Sequence, residues 1–418
     1  MPKLPKNKKK SVQTYRLGVL LSILFISTLI ALIGVIPKFG KFEYRMMPAS
    51  VATTTPFIHL REATHTPTPN PVRGIYMTSC VAATPSLRNN LVRLIDETEL
   101  NTVVIDIKSY DGHISFMPTS ENLKMAVGGC FVRDMQDFVD NLHSHDIYVV
   151  GRLAVFQDQF MVKLHPELAV KKASATSTPW TDFKGISWIN PSVKSHWDYT
   201  VALARSAHNV GFDEINFDYI RFPADGNMRD IWYPESGMQK KSDIMRSFYE
   251  YLRDSLSPAG IVISADLFGM TTTNTDDLNI GQILEKALPY FDYVSPMVYP
   301  SHYPSSFMGF GNPNEHVYEV VKISMDRAIM RTIATTTTVA LPNARIGTTT
   351  PAVYAKPSFD KNKMRPWLQD NNYPVPYTAE MVRAQIQATY DSGLNSWMLW
   401  NAGNRYTRSA LEAESKIQ

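Results

Sequence analysis

The chain of 418 residues has only two cysteines, Cys80 and Cys130. Two thiols exclude a disulfide framework, and neither sits in a metal-ligand spacing. Whether they pair is open at this level, because sequence separation carries no geometry. No Gly-x-Gly-x-x-Gly turn follows the first strand-like run, which argues against dinucleotide binding. The sequence also lacks a Gly-x-Ser-x-Gly elbow and a His-Glu-x-x-His or Cys-x-x-Cys pattern, so it carries neither a serine-hydrolase elbow nor a zinc motif. No metal and no cofactor is expected on these grounds. The body also lacks charge of one sign. The net charge of +3 comes from 42 basic and 39 acidic side chains. Residues 1–16 hold six of the bases (Lys3, Lys6, Lys8, Lys9, Lys10, Arg16) and no acid, leaving 36 bases against 39 acids elsewhere. Such a body is no polyanion binder, and no nucleic-acid partner is expected.

What the sequence does have is one long apolar run. Leu17–Ile36, LGVLLSILFISTLIALIGVI, is 20 residues without a charge, enough to cross a bilayer as a helix. The basic tail precedes it. The positive-inside rule therefore predicts a single-pass protein of the cell membrane, with a cytoplasmic N-terminus and an extracytoplasmic body. A cleaved signal peptide is the competing reading. The run is longer than an ordinary signal core, and Pro37-Lys38 follows in place of a small-x-small cleavage site. Residues 37–71 are rich in Thr, Pro and Ala and predict a flexible linker. The folded part is expected over 72–410.

There, short β-branched or aromatic runs alternate with amphipathic stretches. Eight strands are predicted, at 72–78, 102–108, 147–153, 213–219, 261–268, 292–299, 363–369 and 395–401. Helices are predicted at 91–98, 132–143, 195–209, 241–255, 280–288 and 379–391. Thr378 and Glu380 mark the start of the last one. Strand–helix alternation implies an α/β fold with a parallel sheet, and eight units fit a (β/α)8 TIM barrel. A doubly wound open sheet is the alternative. The acid-free stretch at about 332–357 contains TTTT and TTTP and reads as an inserted loop or hairpin. A strand at 331–341 is the competing assignment.

The predicted strands contain carboxylates. In DEINFDYIRF, Ile215, Phe217 and Tyr219 share one face, and Asn216 and Asp218 the other. If the apolar set packs on helices, Asp218 points to the barrel axis near the C-terminal end of its strand. The same alternation turns Asp106 and Lys108 inward in TVVIDIK and Ser264 and Asp266 inward in IVISADLF. Arg152 and Ser295 are further polar candidates. Charges in apolar strands are costly unless paired or solvated. Several late in their strands would converge on the mouth where barrel enzymes keep their chemistry. Either Arg152 or Arg221 could hold Asp218 ionised. Asp370, at the end of the seventh strand, competes for a catalytic role. Glu214 falls at the opposite end, as does the His143–His145 cluster, which reads as a helix C-terminus.

Trp180, Trp188, Trp197, Tyr299, Tyr303, Trp367, Trp397 and Trp400 fall at strand ends or in top loops. Aromatic faces with polar rims suit sugar rings. Trp397 and Trp400 have opposite parity, so at most one faces the axis. His302 is a candidate hydroxyl ligand. Two carboxylates flanking an acetal make a glycosidase pair, one ionised and one protonated.

The stretches GFDEINFDYIRFP, DIKSYDGHISF, GRLAVFQD, HPELAVK, SPMVYPSHY, RPWLQD and SWMLWNAGNRYT occur in an order that resembles a bacterial glycosyl hydrolase domain family, domain of unknown function 4015. The resemblance covers about residues 72–408. It implies an α-amylase-like TIM barrel acting on glycans, and similar barrels include envelope enzymes that cut peptidoglycan strands. In amylase-like barrels an Asp ending strand 4 is the nucleophile, the place Asp218 holds here. Their acid is usually a Glu ending strand 5, where this chain has Asp266. The combined expectation is a membrane-anchored glycoside hydrolase of cell-wall or surface polysaccharide. Asp218 and Asp266 would be catalytic, with Asp106, Lys108, Arg152, Arg221, Tyr299, His302, Trp367, Asp370 and Trp400 around the substrate. A non-catalytic glycan-binding barrel organising the envelope is the alternative, and an anchor with a vestigial pocket is a third reading.

Overall fold

The computed structural model describes residues Arg61–Ala413. The basic tail, the apolar run and the first part of the linker lie outside the described residues. Among the described residues no helix is long and apolar enough to cross a membrane.

Eleven strands form in chain order: β1 Arg73–Met77, β2 Thr102–Lys108, β3 Tyr148–Ala154, β4 Glu214–Asp218, β5 Val262–Phe268, β6 Tyr293–Met297, β7 Thr336–Thr337, β8 Arg345–Ile346, β9 Val353–Ala355, β10 Trp367–Gln369 and β11 Trp397–Trp400. Eight of them close into a barrel in the order β1-β11-β10-β6-β5-β4-β3-β2. Every neighbouring pair is parallel. This is the (β/α)8 barrel, and all eight predicted strands are in it; the doubly wound sheet is excluded.

Helices Pro85–Asp96, Met135–Ser144, Lys194–His208, Lys241–Leu256, Leu284–Ala287 and Ala379–Asp391 cover the outside. The last starts as its sequence dictates, with the Thr378 hydroxyl accepting from Met381 N and Glu380 in the first turn. Helix Val317–Ile333, with 17 residues, has no counterpart in the sequence reading. Its buried face mixes Val320, Val321 and Met325 with Ser324 and Thr332, which blurs the apolar stripe that periodicity detects. The insertion after it holds a small antiparallel sheet, β7-β9-β8.

The period of two places the site. Ile215 and Phe217 of β4 join the core between barrel and helices. Asn216 and Asp218 point inward, where Asn216 reaches Ser264 and Asp266 of β5. Phe217→Ala would cost about 3–5 kcal/mol of the packing that fixes this face choice. Tyr76, Val104, Tyr148, Val150, Trp367 and Met398 fill the interior. At the N-terminal end Glu214 pairs with Arg365 at 2.9 Å and accepts from Tyr148 Oη at 3.1 Å. Residues 61–71 run along that end: Thr66 N donates to Asp213 at 2.6 Å, and Thr68 shares a hydrogen bond with Tyr148 at 2.9 Å. Cys80 and Cys130 form a disulfide.

Candidate active site

A cavity of about 450 Å³ opens at the C-terminal ends of the strands. Arg152 sits at its floor, buried to 5% exposure on β3. Asp106 Oδ1 lies 2.5 Å from its Nη1. Asp218 Oδ2 takes both Nε, at 3.1 Å, and Nη2. Asp266 Oδ2 stands 3.9 Å from Nε. Three carboxylates thus surround one guanidinium. A single positive charge does not offset three buried negative ones, so a proton must stay in the group.

Asp266 is the member whose surroundings favour that proton. Burial, then the Asp218 charge, push its pKa up to about 8. Its Oδ1 accepts from Asn216 Nδ2 at 2.9 Å and from Trp367 Nε1 at 2.8 Å. Oδ2 has no hydrogen-bond partner among the described residues, which leaves it open to carry a proton. Asp218 is held differently. Besides Arg152, Tyr219 N donates to its Oδ1 at 2.5 Å. That bond exists because Tyr219 turns into the left-handed region, at φ 54°, an uncommon conformation for a bulky residue. Alternation predicts Tyr219 on the helix face; the backbone turn puts it in the cavity wall instead.

The two site carboxylates share Arg152 Nε, at 3.1 and 3.9 Å. Their oxygens therefore lie no farther apart than those two distances laid end to end, about 7 Å. Retaining glycosidases place the pair ~5–5.5 Å apart and inverting ones ~6.5–9.5 Å. An upper bound of this size on one oxygen pair is compatible with the retaining geometry.

Of the expected residues, Asp218, Asp266, Arg152, Arg221, Tyr299, His302 and Trp400 line the cavity. Trp400 stacks on Tyr76, with centroids 4.1 Å apart, while Trp397 packs in the helix-side core, as their parity requires. Asp106 is one layer deeper, held by Arg152 and the Tyr76 hydroxyl, and burial raises its pKa. Trp367 is fully buried and reaches the cavity through Asp266, to which its Nε1 donates, and through the edge of Trp400. Lys108 is elsewhere. The β2–β3 register shifts between Asp106 and Lys108, and its Nζ pairs with Asp158 at 2.8 Å, both side chains fully enclosed. Asp370 is also outside the lining. Its carboxylate accepts from Thr407 N at 2.8 Å and Thr407 Oγ1 at 2.6 Å, tying β10 to the C-terminal loop; burial raises its pKa to about 6. Trp180, Trp188 and Trp197 are buried core residues. Tyr303 lines the cavity, and so do Gln157, Asp182, Lys184 and Asp225, whose loops carry no periodicity to reveal them.

An eight-stranded parallel barrel with carboxylates at the C-terminal ends of adjacent strands is the architecture of TIM-barrel glycoside hydrolases. The chain belongs to the family DUF4015, "Putative glycosyl hydrolase domain", whose model matches residues 74–406. No curated protein matches it. Among solved structures, a hypothetical protein from Ruminiclostridium thermocellum is 30% identical, covering 49% of this chain and 98% of its own, with TM-score 0.42. The PgaB (BpsB) glycoside hydrolase domain from Bordetella bronchiseptica is 12% identical, with TM-score 0.53 over 79% of this chain and 94% of its own. An α-L-fucosidase from Paenibacillus thiaminolyticus is 9% identical, with TM-score 0.51 over 81% of this chain; the match spans 47% of that protein. At these identities the last two speak to the fold alone.

Proposed function

We propose that this protein is a glycoside hydrolase that acts outside the cytoplasm on cell-wall or surface polysaccharide, held to the membrane by residues 17–36. The observation that carries the reading is the split between two adjacent carboxylates. Arg152 gives Oδ2 of Asp218 two charge-assisted hydrogen bonds; burial and the Asp218 charge favour a proton on Asp266. One group can attack the anomeric carbon while the other protonates the leaving oxygen. An Oδ2–Oδ2 separation of at most about 7 Å is compatible with a covalent glycosyl–Asp218 intermediate. In the second half-reaction, ionised Asp266 takes a proton from water, and the water displaces Asp218 with net retention. Tyr299 and Trp400 offer aromatic faces to the ring. Membership of the glycosyl hydrolase domain family supports the substrate class.

The location rests on the basic tail before an apolar run, and on the disulfide, which persists in oxidising compartments. A glycan-binding barrel without turnover is the second reading. It is favoured by one observation: both oxygens of Asp218 are engaged by protein donors. Incubating the purified protein with peptidoglycan glycan strands and a panel of α- and β-glucans separates the two. New reducing ends on any of them support hydrolysis; binding without new reducing ends on every polymer supports the second reading.

A further inference from the structure

With Asp218, Asp266 and Arg152 assigned, the cavity wall still holds a cation without a role. The guanidinium of Arg221 lies 4.6 Å from the Phe268 ring centroid, 4.9 Å from that of Trp188 and 5.7 Å from that of Tyr219. These rings fix its plane. Of its nitrogens only Nη1 donates to protein, to the Phe222 carbonyl at 3.1 Å, and it forms no ion pair among the described residues. Arg152, not Arg221, takes Asp218. An arginine carries five N–H donors in a planar fork matched to a carboxylate, so most of the fork is free. Burial lowers its pKa against the pull of nearby acids, as expected of a cation lacking a close counter-ion.

A second positive side chain lines the same cavity. Lys184 is exposed, and its ammonium makes no ion pair among the described residues. Two other acids share the lining and act on Arg221 through space, but neither bonds to its fork. Asp182 is spent inside its own loop, accepting from Lys184 N at 2.9 Å, Ile186 N at 3.0 Å, and Gln157 and Trp188 at 3.3 Å each. Asp225 is exposed to water, as Lys184 is, and screening weakens both.

We propose that the cavity contains a subsite for a carboxylate-bearing sugar, gripped in parallel by the free N–H donors of Arg221 and attracted by Lys184. The proposal rests on the reading of this cavity as a glycan site and names the substrate class, acidic glycans over neutral glucans. The carboxylate could come from a lactyl ether or from a uronic acid. A charge-assisted, two-pronged contact of this kind is among the strongest polar interactions a site can offer. Against an uncharged ring it would leave the fork unpaired.

The test uses the full-length Asp218→Asn variant in detergent, so that bound glycan survives. Binding is measured by calorimetry to peptide-free peptidoglycan strands and to oligogalacturonate. Each is used native and after chemical reduction of its carboxylates to alcohols. At least one native acidic glycan is expected to bind about tenfold or more tightly than its reduced form. Adding Arg221→Gln should remove that difference and leave the reduced form unaffected, while Arg221→Lys should restore part of it. Lys184→Gln should cost about threefold and do so mainly at low salt. Thermal melting confirms that each variant folds. Which polymer shows the effect identifies the source of the carboxylate. Equal binding of native and reduced forms overturns the subsite and leaves the glycan reading intact. Charge-dependent binding by a wild-type protein that releases no reducing ends keeps the subsite and removes hydrolysis. Binding to no glycan at all overturns both.

Discussion

Arg152 grips a single oxygen of Asp218, Oδ2, through two nitrogens, Nε and Nη2. Its remaining nitrogen, Nη1, goes to Asp106 at 2.5 Å. The guanidinium plane is therefore fixed from both sides, and Asp266 is left 3.9 Å from Nε without a hydrogen bond to it. That asymmetry gives one carboxylate the guanidinium's hydrogen bonds and leaves the other buried without them, which is where burial raises the pKa.

The pH dependence follows from Asp266. Its raised pKa means the protonated, working form prevails at neutral pH and is lost as pH rises through about 8. The kcat/KM profile is expected to fall on the alkaline side with a midpoint near that value. Asp266→Asn should abolish the limb together with most of the activity. An alkaline limb that persists unchanged in the variant would assign the acid to another group.

Removing the shared cation should be felt mainly at neutral pH. Arg152→Met leaves Asp106, Asp218 and Asp266 crowded with no buried counter-charge, which typically costs about 3–5 kcal/mol. The loss comes from ionised carboxylates, so it should shrink as pH falls and they take up protons. Urea unfolding of wild type and variant at pH 7.5 and pH 4.5 measures this. A penalty that is the same at both values would mean that packing, not charge, is lost.

Acid should also loosen the segment beneath the barrel. His65 stacks on His208 at 4.0 Å, and Asp213 accepts from His143 at 3.0 Å and Thr66 N at 2.6 Å. Arg61 adds exposed pairs to Asp137 and Asp140. Burial, then His65, lower the His208 pKa. The Asp213 pKa is lowered too: burial opposes this, but hydrogen bonds from His143, His65, Val149 N and Thr66 N outweigh it. Both groups bind fewer protons when folded. Their stabilising contribution is thus present above their ordinary values and lost as pH falls, first below about 6.5 for His208 and then through the range of Asp213. Hydrogen exchange of residues 66–70, corrected for intrinsic rate, should show less protection at pH 5 than at pH 7.5. Equal or greater protection at pH 5 would contradict the sign.

The Cys80–Cys130 bridge closes a loop of 50 residues. Chain entropy sets its contribution at about 4 kcal/mol at most. Cys80→Ser with Cys130→Ser should lower the urea midpoint and steepen the slope, because the unbridged chain exposes more surface on unfolding. An unchanged midpoint would mean the bridge adds nothing to the fold.

Much of this was legible in the sequence because strands report themselves. The alternation in DEINFDYIRF and IVISADLF placed Asp218 and Asp266 inward and left Ile215, Phe217 and Ile263 to the helices. Where the period breaks, legibility ends. A register shift diverts Lys108 to Asp158, and a left-handed backbone swings Tyr219 into the cavity. The choice between Arg152 and Arg221 as partner of Asp218 depends on β3 lying beside β4 in register, with Arg152 opposite Asn216. The buried tryptophans Trp180 and Trp188 and the cavity residues Asp182 and Lys184 share one loop. Residue type alone does not say which of them faces sugar.

The most direct measurement is the rate at which reducing ends appear from a cleaved polymer, compared among wild type, Asp218→Asn and Asp266→Asn at pH 7. Loss of the nucleophile or of the acid from such a pair is expected to lower the rate by about a hundredfold or more, with melting temperatures showing the variants folded. Wild-type rates in a folded Asp218→Asn protein would contradict the account.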